Sequence, residues 1–197
     1  MMKFFVEKKG LVLTEALMTI SILVTCAVIA GGMFTNAVNT TAVSKDFLIA
    51  NGLAIEGAEA VKNIVYTNKL LSPNEPECWL RLNPDDENCV AIADSTNYLP
   101  EQKDGDQKRG KWKLSGQIAT DLDLSEGIEK NASYLLYLNN ETGLYQTSSN
   151  GAVASKFYRS VKFSHVDNVY ATFEVQVAWF EGAKAWNTKS VVDIINQ

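Results

Sequence analysis

The sequence of 197 residues is poor in the groups that most enzymes and metalloproteins use. Its only histidine is His165, and Cys26 lies within an apolar run, so too few ligands remain for a structural zinc site, which takes about four cysteines or histidines. The G-x-S-x-G, P-loop and dinucleotide-binding motifs are also missing. These absences predict a protein that is not an enzyme and that holds neither a metal nor a cofactor.

Concentrations of basic residues are missing as well. The net charge is −5 at pH 7, and the one short basic run, residues 108–111, is expected to be a solvated turn. Asp104 and Asp106 lack the further oxygen ligands that a calcium-binding loop requires. We therefore predict no nucleic-acid-binding patch and no calcium site.

Proline is confined to one region, since all four prolines lie within residues 73–100. Proline has no backbone N–H, so this clustering predicts a long irregular segment, from about residue 68 to residue 100. Within it, Cys78 and Cys89 bracket a polar loop, which favours a disulfide if this part of the chain lies outside the cytoplasm. Closing such a loop would contribute ~2–3 kcal/mol to stability.

A long apolar run is present near the N-terminus. Residues 16–34 contain no charge, and residues 11–34 are long enough to cross a bilayer as a helix. Lys3, Lys8 and Lys9 precede the run and indicate its cytoplasmic side. A cleaved secretory signal would have a shorter apolar segment followed by small residues. A plain anchor fits the length, but it leaves Glu15 unexplained.

Glu15 is unusual because a carboxylate at this depth costs roughly 2–3 kcal/mol unless it has a partner or reaches the headgroups. The segment Lys-Lys-Gly-Leu-Val-Leu-Thr-Glu-Ala-Leu, residues 8–17, resembles the processing signature of type IV prepilins and type II secretion pseudopilins. The resemblance implies that a prepilin peptidase cuts between Gly10 and Leu11 and methylates the new amine of Leu11. Leu11 departs from the phenylalanine or methionine most common there.

The resemblance also suggests a role for Glu15. Cleavage would create an ammonium group on Leu11, which the Glu15 carboxylate of a neighbouring subunit can neutralise within a helical bundle. An unpaired buried charge is costly, so this pairing would set the register of assembly.

A helix is predicted from Leu11 to about Tyr66. Its first part, residues 11–34, is the transmembrane and assembly segment, and residues 35–66 are an amphipathic continuation. Lys45, Glu56, Glu59 and Asn63 are placed on its polar side. One face of the continuation carries apolar residues at spacings of three and four, which predicts that it packs on a soluble domain: Phe47, Ala50, Ala54, Ala58, Val61 and Val65.

Residues 67–197 are predicted to form an extracytoplasmic loop region and an antiparallel sheet. The pattern in residues 170–180 alternates, which predicts one buried and one solvated face. A helix followed by a run of strands indicates a pilin-like α+β fold. Strands are expected over residues 111–118, 133–138, 157–164, 170–180 and 189–195. A short further strand is expected at residues 79–82, and a hairpin at residues 139–147.

These features predict a structural subunit of a type IV pilus-like filament, a minor pilin or pseudopilin processed after Gly10. Its expected partners are other pilin subunits, the prepilin peptidase and the assembly platform in the cytoplasmic membrane. The subunit would be a single-pass membrane protein with an extracytoplasmic head before assembly, and part of a pilus or periplasmic pseudopilus afterwards. The alternative is a cell-surface binding protein, anchored by one helix, that does not form filaments.

Overall fold

The computed structural model of the protein describes residues 7–72, 75, 78–84, 89, 91–102 and 112–196, with only the backbone for residues 7–12. One α-helix, α1, spans Glu7–Leu71 and so continues beyond Tyr66, where the apolar pattern predicted its end. Contacts divide the chain into a unit that ends at Asp46 and a second unit, the head domain, that begins at Phe47. α1 therefore has two parts that belong to different units: a first part, residues 7–46, and a second part, residues 47–71, in the head domain.

The head domain places the second part of α1 against an antiparallel sheet, which confirms the predicted α+β class. Six strands form the main sheet in the order β5-β4-β6-β7-β8, with β1 paired to β6 as well, and β2 and β3 form a separate pair. The strands are β1 Thr96–Tyr98, β2 Pro100–Gln102, β3 Trp112–Leu114, β4 Leu135–Asn139, β5 Tyr145–Gln146, β6 Ala152–Val166, β7 Tyr170–Glu181 and β8 Lys184–Ile195.

The predicted hairpin at residues 139–147 is present as β4 and β5. Asn139 organises its turn, because its side-chain oxygen accepts the backbone N–H groups of Glu141 and Thr142 at 2.9 and 3.1 Å. Gly143 closes the turn with a φ of +71°, a conformation that glycine adopts without strain.

Two strands are longer than predicted, since β6 begins at Ala152 and β8 at Lys184, whereas three predicted strands are shorter or shifted. Of the described residues 112–118, only Trp112–Leu114 forms a strand, and it pairs with β2 outside the main sheet. Within residues 79–82 there is a single bridge, between Arg81 and Ala91. A 3-10 helix over Glu129–Tyr134 occupies the start of the segment predicted as a strand at residues 133–138. Strand extent depends on a partner edge, which local alternation does not reveal.

The helix face predicted to be buried packs on the sheet, with two corrections. Ala50, Ala54, Ala58, Val61 and Val65 are buried, together with Leu53 and Ile64, against the inner residues of β6 and β7. Phe47 stays 46% exposed, although its ring lies near that of Trp179. Glu56, which was placed on the polar side, instead forms an ion pair with the buried Arg159 of β6.

The opposite face of the sheet is only partly solvated, contrary to the simple alternation predicted for β7. A second apolar cluster covers it with residues from the segment before β4. In this cluster Tyr158 and Ala178 of the sheet meet Leu99, Leu122, Leu124 and Tyr134. Burial raises the pKa of Tyr134 to about 12, and its hydroxyl donates to the carbonyl of Thr120.

Gly57 permits the close approach of helix and sheet. A Cβ atom at this position would lie 2.9 Å from Cγ1 of Val175 and 3.3 Å from Cδ of Arg159. Both neighbours are fully buried on the sheet, so neither can move aside without disturbing the core. Gly52, on the exposed side of the same helix, would meet nothing within 4 Å.

We predict that Gly57→Ala lowers the free energy of unfolding by about 1–3 kcal/mol, because the added methyl overpacks the helix–sheet contact. The matched control is Gly52→Ala, which should raise it by up to ~1 kcal/mol through helix propensity alone. Denaturant unfolding of the full chain in detergent measures both changes. Equal effects of the two substitutions would show that the helix does not need glycine at residue 57.

Candidate processing and assembly site

The residues of the predicted processing site lie at the start of α1. Gly10 and Leu11 are helical in the backbone, and Glu15 follows Leu11 by four residues. Residues four apart lie on the same side of a helix, one turn from each other. Glu15 is exposed, and among the described residues no side chain pairs with its carboxylate. A new amine at Leu11 and this carboxylate would therefore share one side of the helix.

The segment of α1 that follows Glu15, residues 16–34, is apolar on all sides. Residues 13–42 are exposed throughout, including Leu17, Ile22, Met33 and Phe34, which are 58–71% exposed. A helix that is apolar around its whole circumference needs an apolar environment on every side. This helix is long and apolar enough, with a mean hydropathy of 2.2 in its most apolar window, to cross a membrane as a single anchor.

The hydroxyl groups in this apolar part bond within the helix itself. Thr19 donates to the carbonyl of Ala16, while Ser21 and Thr25 donate to carbonyls four residues earlier at 2.8 Å. Thr35 does the same with Gly31. Because lipid tails offer no hydrogen-bond partners, this arrangement removes most of the cost of placing hydroxyl groups in hydrocarbon.

Cys78 and Cys89 form the predicted disulfide, with their Cα atoms 5.3 Å apart. The first residues of the loop that the bridge closes are held to the end of α1 by Asn68, which is fully buried. The Asn68 amide donates to the carbonyls of Trp79 and Arg81 at 3.2 and 3.0 Å, and its oxygen accepts from Nε of Arg81. Asn68 was expected at the start of the loop, and only the longer helix explains its role.

A carboxylate approaches this disulfide. Oε2 of Glu75 lies 3.3 Å from Sγ of Cys78 and 3.8 Å from Sγ of Cys89. Three potential ligand atoms therefore converge, but the sulfurs are bonded to each other and are not thiolates, which are the form that binds metals. In the disulfide form the cluster offers a metal only the Glu75 carboxylate.

A buried ion pair joins α1 to the sheet. Arg159 of β6 is 1% exposed, and its Nη1 donates to Oε1 of Glu56 at 3.1 Å and to the carbonyl of Leu53 at 3.3 Å. Desolvation lowers the pKa of the Arg159 guanidinium, and the charge of Glu56 opposes that effect. Nε of Arg159 has no partner among the described residues. The sequence analysis did not single out Arg159, because its partner Glu56 lies 103 residues away in the chain.

We predict that Glu56→Ala costs about 1–3 kcal/mol of the free energy of unfolding, since it leaves a buried cation unpaired. Glu56 is 38% exposed, so solvent moderates the loss. The double variant Glu56→Ala with Arg159→Met should be more stable than Glu56→Ala alone, because it removes the unpaired charge and keeps the apolar stem. Thermal unfolding of the full-length variants tests this order, and the reverse order would contradict it.

An open groove of about 420 Å³ on the outer face of the head contains paired charges. Lys162 bonds both oxygens of Asp121 at 2.8 and 3.0 Å, and Lys189 bonds Glu174 at 2.8 Å. The Lys162 hydrogen bond, with one from Asn97, lowers the pKa of Asp121. These pairs tie the outer segment to β6 and join β7 to β8, so the groove presents neutralised charges to a ligand.

His165 lies near the end of β6, where it pairs with Thr172 of β7 just before the turn between the two strands. Its Nε2 lies 3.1 Å from Oδ2 of Asp167, and its ring stacks on Tyr170 with centroids 4.6 Å apart. Oδ1 of Asp167 accepts the backbone N–H groups of Val169 and Tyr170, both at 2.7 Å. These bonds lower the pKa of Asp167, chiefly the one from Tyr170. The arrangement closes the connection between β6 and β7.

No protein-family model, curated protein or solved structure matches this chain. The coarse class therefore rests on the structure: a disulfide-containing α+β head joined to one helix that is able to cross a membrane. The predictions of a filament subunit and of cleavage after Gly10 rest on the N-terminal sequence pattern alone.

Proposed function

We propose that this protein is a structural subunit of a type IV pilus-like filament, a minor pilin or pseudopilin that is processed between Gly10 and Leu11. The observation that carries the proposal is a helical segment, residues 13–34, with an all-round apolar surface and one exposed carboxylate, Glu15, one turn after Leu11. A lipid anchor needs the apolar surface alone, whereas the carboxylate needs a cationic partner.

Processing would supply that partner. Cleavage removes the lysines of the leader and leaves an amine on Leu11 at the same end of the helix as Glu15. When the apolar helices leave the membrane and pack together, each Glu15 carboxylate would meet the amine of a neighbouring subunit. Displaced packing would bury both charges without partners, so the pair would select one register rather than contribute much net stability.

The head is suited to display outside the cytoplasm. A disulfide between Cys78 and Cys89 persists in oxidising compartments, which agrees with an extracytoplasmic location. The expected partners are other pilin subunits, the prepilin peptidase and the assembly platform. The alternative, an anchored surface protein that does not assemble, would keep its N-terminal leader and would have no use for a partner at Glu15.

We predict that the mature protein begins at Leu11 and carries one methyl group on its N-terminal amine. Mass spectrometry of the intact protein, isolated from cells that contain a prepilin peptidase, measures this directly. Gly10→Val should leave the leader attached, because the cleaved bond would then carry a bulky side chain. A wild-type chain that still begins at Met1, or that begins at any residue other than Leu11, would refute the proposed processing.

We predict that Glu15→Gln leaves cleavage intact but greatly reduces incorporation into filaments, because the Leu11 amine would be buried without a counter-charge. Sheared filaments and membranes are compared by immunoblotting. Glu59→Gln, an exposed carboxylate of the head that pairs with Lys62, is the control and should assemble normally. Normal incorporation of the Glu15 variant would refute the register role of this carboxylate while leaving the cleavage prediction untouched.

A further inference from the structure

The outer edge of β8 is the longest exposed strand edge in the described part of the head. β8 is the last strand in the sheet order, and it pairs with β7 over its whole length, from Lys184 to Ile195, without a bulge. The strand at the other end of the sheet order, β5, has only two residues. Long regular edges attract further strands unless proline, bulges or charged side chains interrupt them. β8 contains neither proline nor a bulge, and near its middle it carries one charge of each sign, Lys189 and Asp193.

The ladder identifies which backbone groups of β8 face outward. Asn196 donates its N–H to the carbonyl of Val169 at 2.6 Å, which continues the register between β7 and β8 by one residue. Hydrogen-bonded pairs alternate along an antiparallel ladder, so the even-numbered residues of β8 bond to β7. The odd-numbered residues therefore direct their N–H and C=O groups away from β7.

The side chains of these odd-numbered residues lie on the outer face and are exposed: Ala185, Asn187, Lys189, Val191, Asp193 and Ile195. Val191 is 64% exposed and Ile195 is 57% exposed, which is high for valine and isoleucine in the middle and at the end of a strand. The carbonyl of Ile195 already accepts a hydrogen bond from Lys69, so the available edge ends near Asp193.

We propose that β8 pairs antiparallel with β8 of a second copy of this chain, about a two-fold axis at Val191. In this register Val191 faces its own equivalent, and Lys189 of each copy lies opposite Asp193 of the other. Directly opposed residues of unlike charge stabilise a strand pair, whereas like charges destabilise it. The pairing would join the main sheets of the two heads, through the free edges of their β8 strands, into one continuous sheet, as in β-strand addition.

Charge selects this register over its neighbours. An axis at Lys189 would oppose two lysines, and an axis at Asp193 would oppose two aspartates. The intermediate axes, at Ser190 and Val192, would place Lys189 or Asp193 opposite Val191. The register centred on Val191 is the one among these five that places Lys189 opposite Asp193. This contact would add to those that the two residues make in their own sheet, Lys189 with Glu174 and Asp193 with Thr172. The complementarity of the two charges points to a second copy as the occupant.

The pairing also has a direction. Within the head, Asn51 of α1 bonds Thr188 and Lys69 bonds Ile195, so this part of the helix runs in the same direction as β8. Antiparallel strands therefore place the two Phe47 ends of the heads at opposite ends of the pair. This geometry suits copies that approach from opposing surfaces or filaments, and the contact is independent of filament assembly itself.

The test uses the full chain in nanodiscs that hold one copy each, because this excludes contacts between membrane helices. All variants carry Cys26→Ser, which removes the free cysteine. Val191→Cys should give a cross-linked dimer with a short thiol-reactive linker. A mixture of discs with Lys189→Cys and discs with Asp193→Cys should cross-link between the two variants far more than either does alone. Val153→Cys, 57% exposed on β6, which has neighbours on both sides, is the matched control.

Charge exchange provides an independent measurement. Lys189→Glu chains and Asp193→Lys chains should each pair with themselves about tenfold more weakly than wild type, as like charges then face each other. Mixing the two variants restores opposite charges at both positions and should restore pairing in sedimentation measurements. Circular dichroism verifies that each variant is folded.

The proposal is overturned if folded Val191→Cys chains cross-link no more than Val153→Cys chains, or if mixing the two charge variants fails to restore association. Failure here would leave processing at Gly10 and the role of Glu15 unaffected, because those are measured on the N-terminus and on filaments. Loss of processing with intact pairing would instead refute the filament proposal alone.

Discussion

The close contact between the second part of α1 and the centre of the sheet supports the rest of the head domain. Gly57 lets the helix approach Val175, and Arg159 extends from β6 beneath the helix to Glu56 and the carbonyl of Leu53. Apolar burial is non-directional, so it holds the two layers together without choosing a position along the helix. The Arg159–Glu56 pair and the small gap at Gly57 fix that position, because a shift along the helix would leave the buried Arg159 cation without its partner.

The same helix meets two different environments. In the head, one stripe of α1 is buried and the rest is exposed, whereas residues 13–34 are exposed and apolar on all sides apart from Glu15 and a few hydroxyl groups. Threonine and serine hydroxyls in that segment bond to their own helix, so little polarity remains to be satisfied from outside. Glu15 is the exception among the described residues of this segment, and the proposed assembly role depends on this carboxylate.

Two buried asparagine side chains hold loop segments of the head in place through hydrogen bonds to the backbone. Asn68 anchors the disulfide-containing segment, and Asn131, 1% exposed, bonds the backbone of Asp123 and Gly127. The segment before β4, expected to include a sheet strand, instead folds over the outer face with Leu122, Leu124 and Tyr134. Composition did not identify these roles, because each depends on partners far away in the chain.

The sequence by itself determined the α+β class, the buried stripe from Ala50 to Val65, the hairpin at Asn139 and the pairing of Cys78 with Cys89, since periodicity, turn chemistry and cysteine spacing are local properties. It also supplied the whole case for Gly10, Leu11 and Glu15, to which the structure adds only a shared helix side. Tertiary structure alone decided that Glu56 turns inward, that both sheet faces are partly covered and that β8 remains an open edge. Those outcomes depend on which surfaces meet, and that is settled by packing between distant segments.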